Sequence, residues 1–416
     1  MMPQGAHRRP PGERVYGTGP AAPRPWGEVE GGEAPDALSL YVHIPYCARR
    51  CAFCDLSAGR PRGPEEPLAY LTALRREIVR AAEEEPDLRG RPAVTAYFGG
   101  GTPTSVQPEG LAGVLWLLRN QFALPDEAEA SVEADPGTVG QETLWALRRA
   151  GFNRLSFGVQ TLDDRVLRRL GRLHDAARAR AAVGWAREEG FAHVSVDLIL
   201  GLPQVSRAAW RETVAEVASW PVDHVSVYAL QVEEGTAFGR RQRAGLLSLP
   251  PDELVVEMGD EAEAVLAAAG FERYELASYA RPGGRCLHNE GYWTGRAYRG
   301  FGAGAHSYVG GERRWNTRSP RRYIAAVVGG ASPVAGRERL AGEAARAEAA
   351  MLALRRDRGI ERAAFARAFG VDPAAAFAPA WERLQEAGLV TVDGERIALS
   401  GRGRWLYNRV ASALLP

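Results

Sequence analysis

The sequence predicts an α/β protein: a partial (β/α)6 barrel followed by a smaller, helical, winged-helix-like domain. Three observations lead to this fold class. Short apolar runs alternate with amphipathic helical stretches, which is the pattern of βαβ units around a parallel sheet. Several of these runs end on a polar residue or a glycine. Towards the C-terminus the pattern changes to helices that precede a hairpin.

The six predicted strands are near-continuous apolar runs, as expected for a sheet covered on both faces. A helical stretch follows each of the first five, for example 68–82, where Leu71, Leu74 and Ile78 share one face. The carboxyl ends of barrel strands form the functional face. The predicted strands cover 38–44, 94–100, 129–135, 153–159, 193–201 and 223–230, and the other predicted helices cover about 108–121, 140–150, 163–170, 175–190 and 207–219.

A cysteine-rich loop follows the first predicted strand. Cys47, Cys51 and Cys54 are spaced C-x3-C-x2-C, and the chain has only one other cysteine. Three thiolates in one short loop suit a [4Fe–4S] cluster whose fourth iron has no protein ligand. A disulfide is not favoured, because no secretory context accompanies these closely spaced thiols. A zinc site completed by His43 or Asp55, or plain buried cysteine, stays open as the alternative.

Composition and charge describe an ordinary globular protein. Hydrophobic residues make up 45% and charged residues 25% of the 416 residues, which suffices for a substantial core. The net charge is +1 and the basic residues, all arginine, are spread over the helices, so neither nucleic acid nor an anionic membrane is favoured as a partner. No apolar stretch approaches the ~20 residues of a membrane span, and no signal peptide is visible. We therefore expect a cytoplasmic protein with reduced thiols.

The chain divides into four predicted segments. Residues 1–37, rich in Gly, Pro, Arg and Glu, predict a disordered or loosely packed tail. The barrel is predicted over 38–270 and an extension of it over 271–337. Residues 338–416 predict the winged-helix-like domain, since helices precede an Asp-Gly pair (393–394) flanked by apolar runs. We expect a lid or partner-docking module, because this segment lacks the basic stripe of a nucleic-acid reader.

Four motifs, in this order, resemble those of the radical S-adenosylmethionine family. They are the cysteine loop after YVHIP, GGGTPT at 99–104, SFGVQ at 156–160 and DLILGLP at 197–203. The most similar branch is that of the oxygen-independent coproporphyrinogen III oxidases and their relatives, and the resemblance covers about 38–415. It implies a [4Fe–4S] cluster on the three cysteines and bound S-adenosylmethionine.

The resemblance implies that the turn after the second strand contacts S-adenosylmethionine. Gly99, Gly100 and Gly101 leave room for the backbone to approach the methionine amino group, and Thr102 adds a hydroxyl. The alternative is an ordinary strand-to-helix turn. Arg172 corresponds to the family's arginine for the cofactor carboxylate, a contact that suits a guanidinium.

Further cofactor contacts are implied at strand ends. Gln160 and Asp197 are similar to the family's ribose ligands, and Glu133 matches an acidic cofactor contact. For Glu133 a helix cap or a surface carboxylate is the alternative. Tyr41 and Phe53 are expected to pack beside the cluster and the cofactor, although aromatic residues are otherwise core residues.

A second motif lies in the predicted barrel extension. His288, Asn289, Tyr292 and Trp293 match the HNxxYW motif of a branch regarded as haem chaperones, which implies haem as a ligand. Imidazole is a common axial haem ligand, and large aromatic residues stack on a macrocycle. The alternative is a histidine that fills a hydrogen-bonded loop. Cys286, just before the motif, is either a small buried residue or a thiolate ligand of haem.

One departure from the oxidase pattern decides between the branches. The oxidases carry another cysteine two positions after the third, where this chain has Leu56. The resemblance therefore implies a haem chaperone that delivers haem to apo-haemoproteins of the respiratory chain, without coproporphyrinogen oxidase activity. Decarboxylation of coproporphyrinogen III is the alternative. Radical modification of tRNA has little support, because no additional basic RNA-binding domain is present. A peripheral membrane encounter fits such acceptors, although the chain encodes no stable anchor.

Overall fold

A mixed sheet of 13 strands forms the centre of the part of the chain that this computed structural model describes, residues 13–16, 26 and 36–415. The strands of this sheet are β1 (Glu13–Tyr16), β2 (Leu38–Ile44), β3 (Ala93–Gly100), β4 (Glu129–Ala134), β5 (Arg154–Gln160), β6 (His193–Leu200), β7 (His224–Ala229), β8 (Glu272–Arg273), β9 (Ser278–Ala280), β10 (Ala297–Phe301), β11 (His306–Val309), β12 (Glu312–Asn316) and β13 (Val334–Leu340). A smaller sheet contains β14 (Ile360–Glu361), β15 (Val390–Val392) and β16 (Arg396–Leu399).

Helices cover the large sheet and build most of the C-terminal part. They are α1 (Glu65–Glu84), α2 (Pro108–Phe122), α3 (Gln141–Arg149), α4 (Asp164–Leu170), α5 (Ala176–Glu188), α6 (Arg207–Ala218), α7 (Ala237–Arg243), α8 (Asp252–Ala268), α9 (Leu287–Thr294), α10 (Pro320–Val328), α11 (Gly342–Ala353), α12 (Arg362–Phe369), α13 (Pro373–Ala376), α14 (Ala378–Glu386), α15 (Gly401–Trp405) and α16 (Tyr407–Ala413). None of the helices within the described ranges is long and apolar enough to cross a membrane.

Strands β2 to β7 form the predicted partial (β/α)6 barrel. They lie side by side in chain order and all run parallel. Helices α1, α2, α3, α5 and α6 form the crossovers between successive strands. Two neighbouring parallel strands need such a crossover, because the chain must return to the same end of the sheet before the next strand begins. On α1 the predicted face of Leu71, Leu74 and Ile78 is buried. The predicted fold class is therefore confirmed.

The inner face of the barrel is polar and aromatic. In β2 the even-numbered residues 38–44 are apolar and fully buried, whereas Ser39, Tyr41 and His43 alternate with them. Tyr41 stacks on Tyr97 of β3, with 6.3 Å between ring centroids. This alternation differs from the predicted near-continuous apolar runs, because only the outer side of each strand packs against helices. The inner side is left for polar chemistry.

The predicted barrel extension continues the sheet on both sides. Strand β10 pairs parallel with β2, and β11, β12 and β13 follow in antiparallel order. On the other side β9 pairs with β7 and β8 with β9, both antiparallel. The predicted boundary between residues 337 and 338 falls inside β13, so the large sheet ends three residues later than expected.

A buried carboxylate ties this extension to the barrel. Glu77 of α1 is 2% exposed and accepts hydrogen bonds from the Gly302 N–H (2.8 Å), Asn316 Nδ2 (2.9 Å) and the Tyr323 hydroxyl (2.6 Å). Arg299 forms an ion pair with it at 3.2 Å. A buried charge is tolerated when it is paired and hydrogen-bonded in this way, so the network fixes where β10 and β12 lie against α1.

The C-terminal part has the element order of a winged helix. A helix, a short strand, further helices and a hairpin follow one another from α11 to β16. The predicted hairpin is present: β15 and β16 pair antiparallel, and Asp393 Oδ1 accepts hydrogen bonds from the N–H groups of Glu395 and Arg396. Such an Asx turn explains why Asp is suited to this position.

Two pieces of the predicted N-terminal tail are ordered parts of the fold. Residues 13–16 form β1, which pairs parallel with β13. Trp26 is 3% exposed and belongs to the core of the C-terminal part, 6.1 Å from the ring of Phe369. Its backbone N–H donates to Thr294 and its Nε1 to the carbonyl of Trp293. At these places the prediction of a disordered or loosely packed tail is wrong. Residues 36 and 37 are described as well, and the others of 1–37 lie outside the described residues.

Replacing Trp26 should destabilise the protein. Trp26→Ala removes a packed ring and its Nε1 hydrogen bond to α9, so we expect the free energy of unfolding to fall by about 3 kcal/mol. Trp145→Ala is the matched control, because Trp145 is 53% exposed and an exposed site changes stability by about 0.5 kcal/mol or less. Urea unfolding followed by circular dichroism measures both. Equal stability of the two variants would show that Trp26 is not a structural anchor.

Candidate functional site

The cysteine loop lies at the carboxyl end of β2, on the predicted functional face. Cys47, Cys51 and Cys54 are free, partly buried thiols that line one cavity of about 240 Å³. Backbone hydrogen bonds fix the loop: the Cys47 N–H donates to Gly59, and the Ala52 N–H donates to Leu170 at the end of α4. The loop is therefore shaped by the fold.

The protonation of the thiols bears on metal binding. Within the described ranges, no three His, Cys, Asp or Glu side chains are grouped closely enough to hold one metal ion, and this includes the three thiols themselves. Burial raises the pKa values of Cys47 and Cys54, and the neighbouring thiols raise them further. Cysteine binds metal as thiolate, so positive iron ions between these sulfurs would stabilise the charged form. Arg172 Nη1 donates to Cys51 Sγ at 3.2 Å, and Thr102 Oγ1 to Cys47 Sγ at 3.6 Å.

The glycine turn at the end of β3 forms the neighbouring wall of this cavity. Gly100 has φ +113°, which favours glycine. A Cβ on Gly101 would lie 2.5 Å from the Tyr46 carbonyl and 2.9 Å from Cys47 Sγ. Gly100, Gly101 and Thr102 line the cavity. Gly99 does not; a Cβ there would lie 3.0 Å from Glu133 Oε1, so its small size makes room for that carboxylate.

Arg172 is held in the cavity by a brace that sequence reasoning missed. Its Nη2 donates to the Gly158 carbonyl at 2.6 Å and forms an ion pair with Asp135 at 2.7 Å. Asp135 is in turn 3.1 Å from His174 Nδ1. The Arg172 Nε is buried and has no hydrogen-bond partner within the described residues. A carboxylate ligand would satisfy this buried donor. The sequence signal that could have revealed this brace is the position of Asp135, two residues after Glu133.

Three further predicted residues meet at the ends of β4, β5 and β6. Glu133 accepts hydrogen bonds from the Tyr97 hydroxyl (2.8 Å) and the Gly100 N–H (3.2 Å). Asp197 accepts from Ser156 Oγ at 3.2 Å. Gln160 has φ +71°, a conformation that costs a non-glycine residue energy and often marks a functional position. All three line the cysteine cavity.

The Glu133 carboxyl predicts a pH-dependent stability of the cluster-free protein. Burial raises the pKa of Glu133 to about 7 and that of Asp197 to about 6. Unfolding returns these groups to about 4, so between these values the native state binds more protons and the free energy of unfolding falls as pH rises. Glu133→Gln stays neutral, so its melting temperature should rise relative to wild type between about pH 5 and 8. A difference in melting temperature between Glu133→Gln and wild type that does not change with pH would contradict the raised pKa of Glu133.

The two aromatic residues expected beside the cluster occupy different places. Phe53 lines the cysteine cavity. Tyr41 does not line it; its hydroxyl is 3.1 Å from His43 Nδ1 and its ring faces Tyr97, deeper in the barrel. The expectation that Tyr41 packs beside the cluster and the cofactor stays a prediction.

The second predicted motif lies away from the cysteine cavity, near the start of the barrel strands. His288 on α9 is fully buried, with Nδ1 2.9 Å from Thr95 Oγ1 and Nε2 2.9 Å from the Tyr292 hydroxyl. Its ring stacks on Tyr97 at 5.0 Å. Burial lowers its pKa well below the ordinary value. Both ring nitrogens thus have hydrogen-bond partners, as in the alternative of a histidine that fills a hydrogen-bonded position, and haem ligation by His288 stays a prediction.

The residues around His288 anchor α9. Glu129 of β4 accepts hydrogen bonds from the N–H groups of Leu287 (3.1 Å) and His288 (2.9 Å), and so caps the helix. Cys286 Sγ donates to Glu129 at 3.5 Å, and burial raises the pKa of this thiol. Cys286 is therefore buried, as the first of its two interpretations expects. Asn289 is half-buried on the same helix turn.

Trp293 contacts a residue of the C-terminal part. The guanidinium of Arg355 lies 4.3 Å from the centre of its ring, a cation–π distance. Arg355 also lies 5.4 Å from the ring of Tyr407. Of the four residues of the second motif, Trp293 is thus the one that contacts a residue lining a second, larger cavity. Sequence reasoning gave no indication of this contact.

Comparisons with known proteins agree on the relatives of this chain. The model of the Radical SAM superfamily matches residues 41–217, and that of the HemN C-terminal domain matches residues 340–406. Heme chaperone HemW of Mycobacterium tuberculosis (strain CDC 1551 / Oshkosh) is 40% identical over 380 residues, which cover 91% of this chain and 95% of that protein. Heme chaperone HemW of Bacillus subtilis (strain 168) is 35% identical over 382 residues, covering 91% and 99%. Among solved structures, the coproporphyrinogen III oxidase HemN from Escherichia coli, a radical SAM enzyme, has a TM-score of 0.80 at 27% identity, covering 91% of this chain and 90% of that one.

Proposed function

The chain belongs to the HemW family of haem chaperones within the radical S-adenosylmethionine superfamily, and we propose that it binds a [4Fe–4S] cluster, S-adenosylmethionine and haem and delivers haem to respiratory haemoproteins. One observation carries the proposal: the three motif cysteines share a cavity with an arginine and two carboxyl groups from other strands. When bound, the cluster and S-adenosylmethionine supply one-electron reductive chemistry.

Each residue of the site has a role that follows from its chemistry. Cys47, Cys51 and Cys54 would hold the cluster by three thiolates. Arg172, held by Asp135, would bind the carboxylate of S-adenosylmethionine through its unpartnered Nε. The remaining predicted contacts would bind the cofactor's amino group and ribose through backbone, hydroxyl, amide and carboxyl groups; they are Gly100, Gly101, Thr102, Glu133, Gln160 and Asp197.

Haem delivery is tested by a transfer experiment. Anaerobically reconstituted protein is loaded with haem, separated from free haem and mixed with an apo-haemoprotein of the respiratory chain. We expect the acceptor's absorption bands to appear faster than when an equal amount of haem is supplied bound to albumin. Haem that stays on the donor, or transfer no faster than from albumin, would contradict the chaperone role.

Coproporphyrinogen III oxidation is the second candidate, since the solved oxidase has the same fold over nine-tenths of both chains. Leu56 is the observation against it: this half-exposed side chain stands where the oxidases have a further cysteine. A turnover assay with coproporphyrinogen III, S-adenosylmethionine and reductant separates the two. Protoporphyrinogen formation would establish the oxidase activity, and no product is expected from a chaperone.

The proposed acceptors determine where in the cell haem would be transferred. Respiratory haemoproteins are bound to membranes, so we propose that a cytoplasmic chaperone meets them by peripheral contact at the inner face of the membrane. The relatives' name supports haem as the cargo. Flotation with vesicles that carry an acceptor, compared with empty vesicles, tests the contact: binding only to acceptor-bearing vesicles is expected.

A further inference from the structure

The cysteine loop is held between two helices that carry exposed arginines. Ala52, in the loop, makes both connections through its own backbone. Its N–H donates to the Leu170 carbonyl at the end of α4, and its carbonyl accepts from the Phe238 N–H at the start of α7, each at 2.9 Å. Gly171 also lies against the loop, since a Cβ there would be 3.4 Å from the Arg50 carbonyl. The end of α4 and the start of α7 therefore lie directly beside the loop.

The loop, the last turn of α4, and α7 together present a patch of positive charge, which we call the basic rim. Each of its arginines is exposed, and no carboxylate of the described residues forms an ion pair with any of them. The exposed carboxylates on the same stretches and just before α7 are fewer: Asp55, Glu233 and Glu234. The three stretches lie far apart along the chain, so the sequence did not reveal the patch. The basic rim consists of Arg49, Arg50, Arg168, Arg169, Arg240 and Arg241.

Exposed leucines accompany the basic rim. Leu56 and Leu173 are each about half exposed, and they lie together because both line the cysteine cavity. Leu246, which follows α7, is about two-thirds exposed. Protein interfaces combine an apolar centre with a polar edge and are enriched in arginine. The composition of this surface is therefore that of a protein-docking site.

The charge of the basic rim selects an acidic partner. Guanidinium groups pair with carboxylates in a matching, two-pronged geometry, and opposite charges speed the encounter of two proteins. A membrane-binding surface would instead carry a long amphipathic helix or tryptophan and tyrosine residues at the lipid boundary. Helices α4 and α7 have seven residues each and no exposed aromatic residue. This comparison favours an acidic protein over an anionic membrane.

The role of the cysteine loop indicates what such a protein would deliver. One-electron reductive chemistry at the cluster consumes an electron that has to come from another molecule. Ala52, which contacts both helices, lies between Cys51 and Cys54 in the loop. A protein docked on the basic rim would be close to the cluster, and electron transfer is fast only over short distances. Positive charge beside the cluster would also favour its reduced form.

We propose that the basic rim is the docking surface for an acidic protein that carries single electrons, and that this protein reduces the cluster through the cysteine loop. This rests on the proposed function, because it requires the cluster. One electron leaves the reduced carrier and enters the cluster; no bond forms or breaks and no proton is transferred. Weak redox encounters bury less than about 1,200 Å², so a surface of this size suffices, and its charge steers the approach of the carrier.

Two measurements on the full chain, reconstituted anaerobically, test the proposal. The probe is a strongly acidic plant-type [2Fe–2S] ferredoxin, which has a low reduction potential. Titration with the oxidised ferredoxin measures docking without electron transfer. Rapid mixing with the reduced ferredoxin measures the rate at which the cluster is reduced. We expect affinity and rate both to fall as the ionic strength rises, because salt screens exposed charges.

A variant of the basic rim should lose most of this docking. It combines Arg168→Gln, Arg169→Gln, Arg240→Gln and Arg241→Gln, which leaves the cysteine loop unchanged. The second-order rate constant for reduction by ferredoxin should fall about tenfold or more, and docking should weaken by a similar factor, because the steering charge is lost. Reduction by dithionite, a small molecule that needs no docking surface, should change far less. Iron analysis confirms that the cluster is present.

The matched control removes the same charge elsewhere. It combines Arg75→Gln, Arg76→Gln, Arg367→Gln and Arg383→Gln, which replace exposed arginines of α1, α12 and α14. Both the affinity for ferredoxin and the rate of reduction should stay close to those of wild type, because these arginines lie outside the basic rim. The comparison separates the position of the charge from the net charge of the chain.

Four results would overturn the proposal or its premise. If the rim variant and the control variant bind ferredoxin and are reduced equally well, the basic rim is not the docking surface. If wild type does not bind ferredoxin, or binds it and is not reduced, the partner is not an acidic electron carrier. If wild type floats with anionic vesicles and the rim variant does not, the surface binds a membrane. These three results leave haem transfer untouched, whereas wild type without a cluster would refute the proposed function and this inference with it.

Discussion

Replacing Cys47, Cys51 and Cys54 together by alanine should abolish cluster assembly. After anaerobic reconstitution we expect the wild type to contain about four irons per chain and the variant none, with loss of the broad iron–sulfur absorbance. The physical reason is that these three are the only cysteines among the described residues that line the cavity. Iron and sulfide analysis, with absorption spectra, measures the change.

Cys286→Ala is the matched control for the cysteine variant. Cys286 is the remaining thiol of the chain, and it is fully enclosed beside Glu129. This variant should keep the wild-type iron content. Four-iron absorbance that persists in the triple variant would contradict the account, and so would a folded Cys286→Ala protein without a cluster.

Arg172→Gln should weaken binding of S-adenosylmethionine about tenfold or more while leaving the cluster in place, since a charge-assisted hydrogen bond from the Arg172 Nε is lost from a buried site. Arg172 is only 9% exposed and is braced by Asp135 and the Gly158 carbonyl. Equilibrium dialysis under anaerobic conditions measures the affinity, and iron analysis confirms the cluster.

Arg168→Gln supplies the comparison for this prediction. Arg168 lies on α4, four residues earlier, and is exposed. Its affinity for S-adenosylmethionine should equal that of wild type. An Arg172→Gln protein with unchanged affinity would mean that another residue binds the cofactor carboxylate.

The barrel was predictable because its local signals agree with its tertiary structure. The strand predicted at 38–44 has those bounds in the structure. Helix starts at 164, 176 and 207 differ little from the predicted ones, because Asp163, Asp175 and Ser206 cap them with side-chain hydrogen bonds. The polar inner face and the packing of Trp26 were missed, because both depend on contacts between residues far apart in sequence.

The candidate site was predictable in part for a similar reason. The carboxyl ends of neighbouring parallel strands meet, so residues such as Glu133 and Asp197 were expected near the cysteine loop. The surroundings of His288 were not predictable, since Thr95 and Glu129 lie more than 150 positions away along the chain. Arg355 was missed because its place at the cavity is created by docking of the C-terminal part.

The central claim is that one iron of a three-cysteine cluster is left for S-adenosylmethionine. The most direct test is electron paramagnetic resonance of the reduced, reconstituted protein, recorded with and without S-adenosylmethionine. The account predicts a changed cluster signal that saturates at one S-adenosylmethionine per chain and requires much higher concentrations in Arg172→Gln. An identical signal with and without S-adenosylmethionine would contradict it.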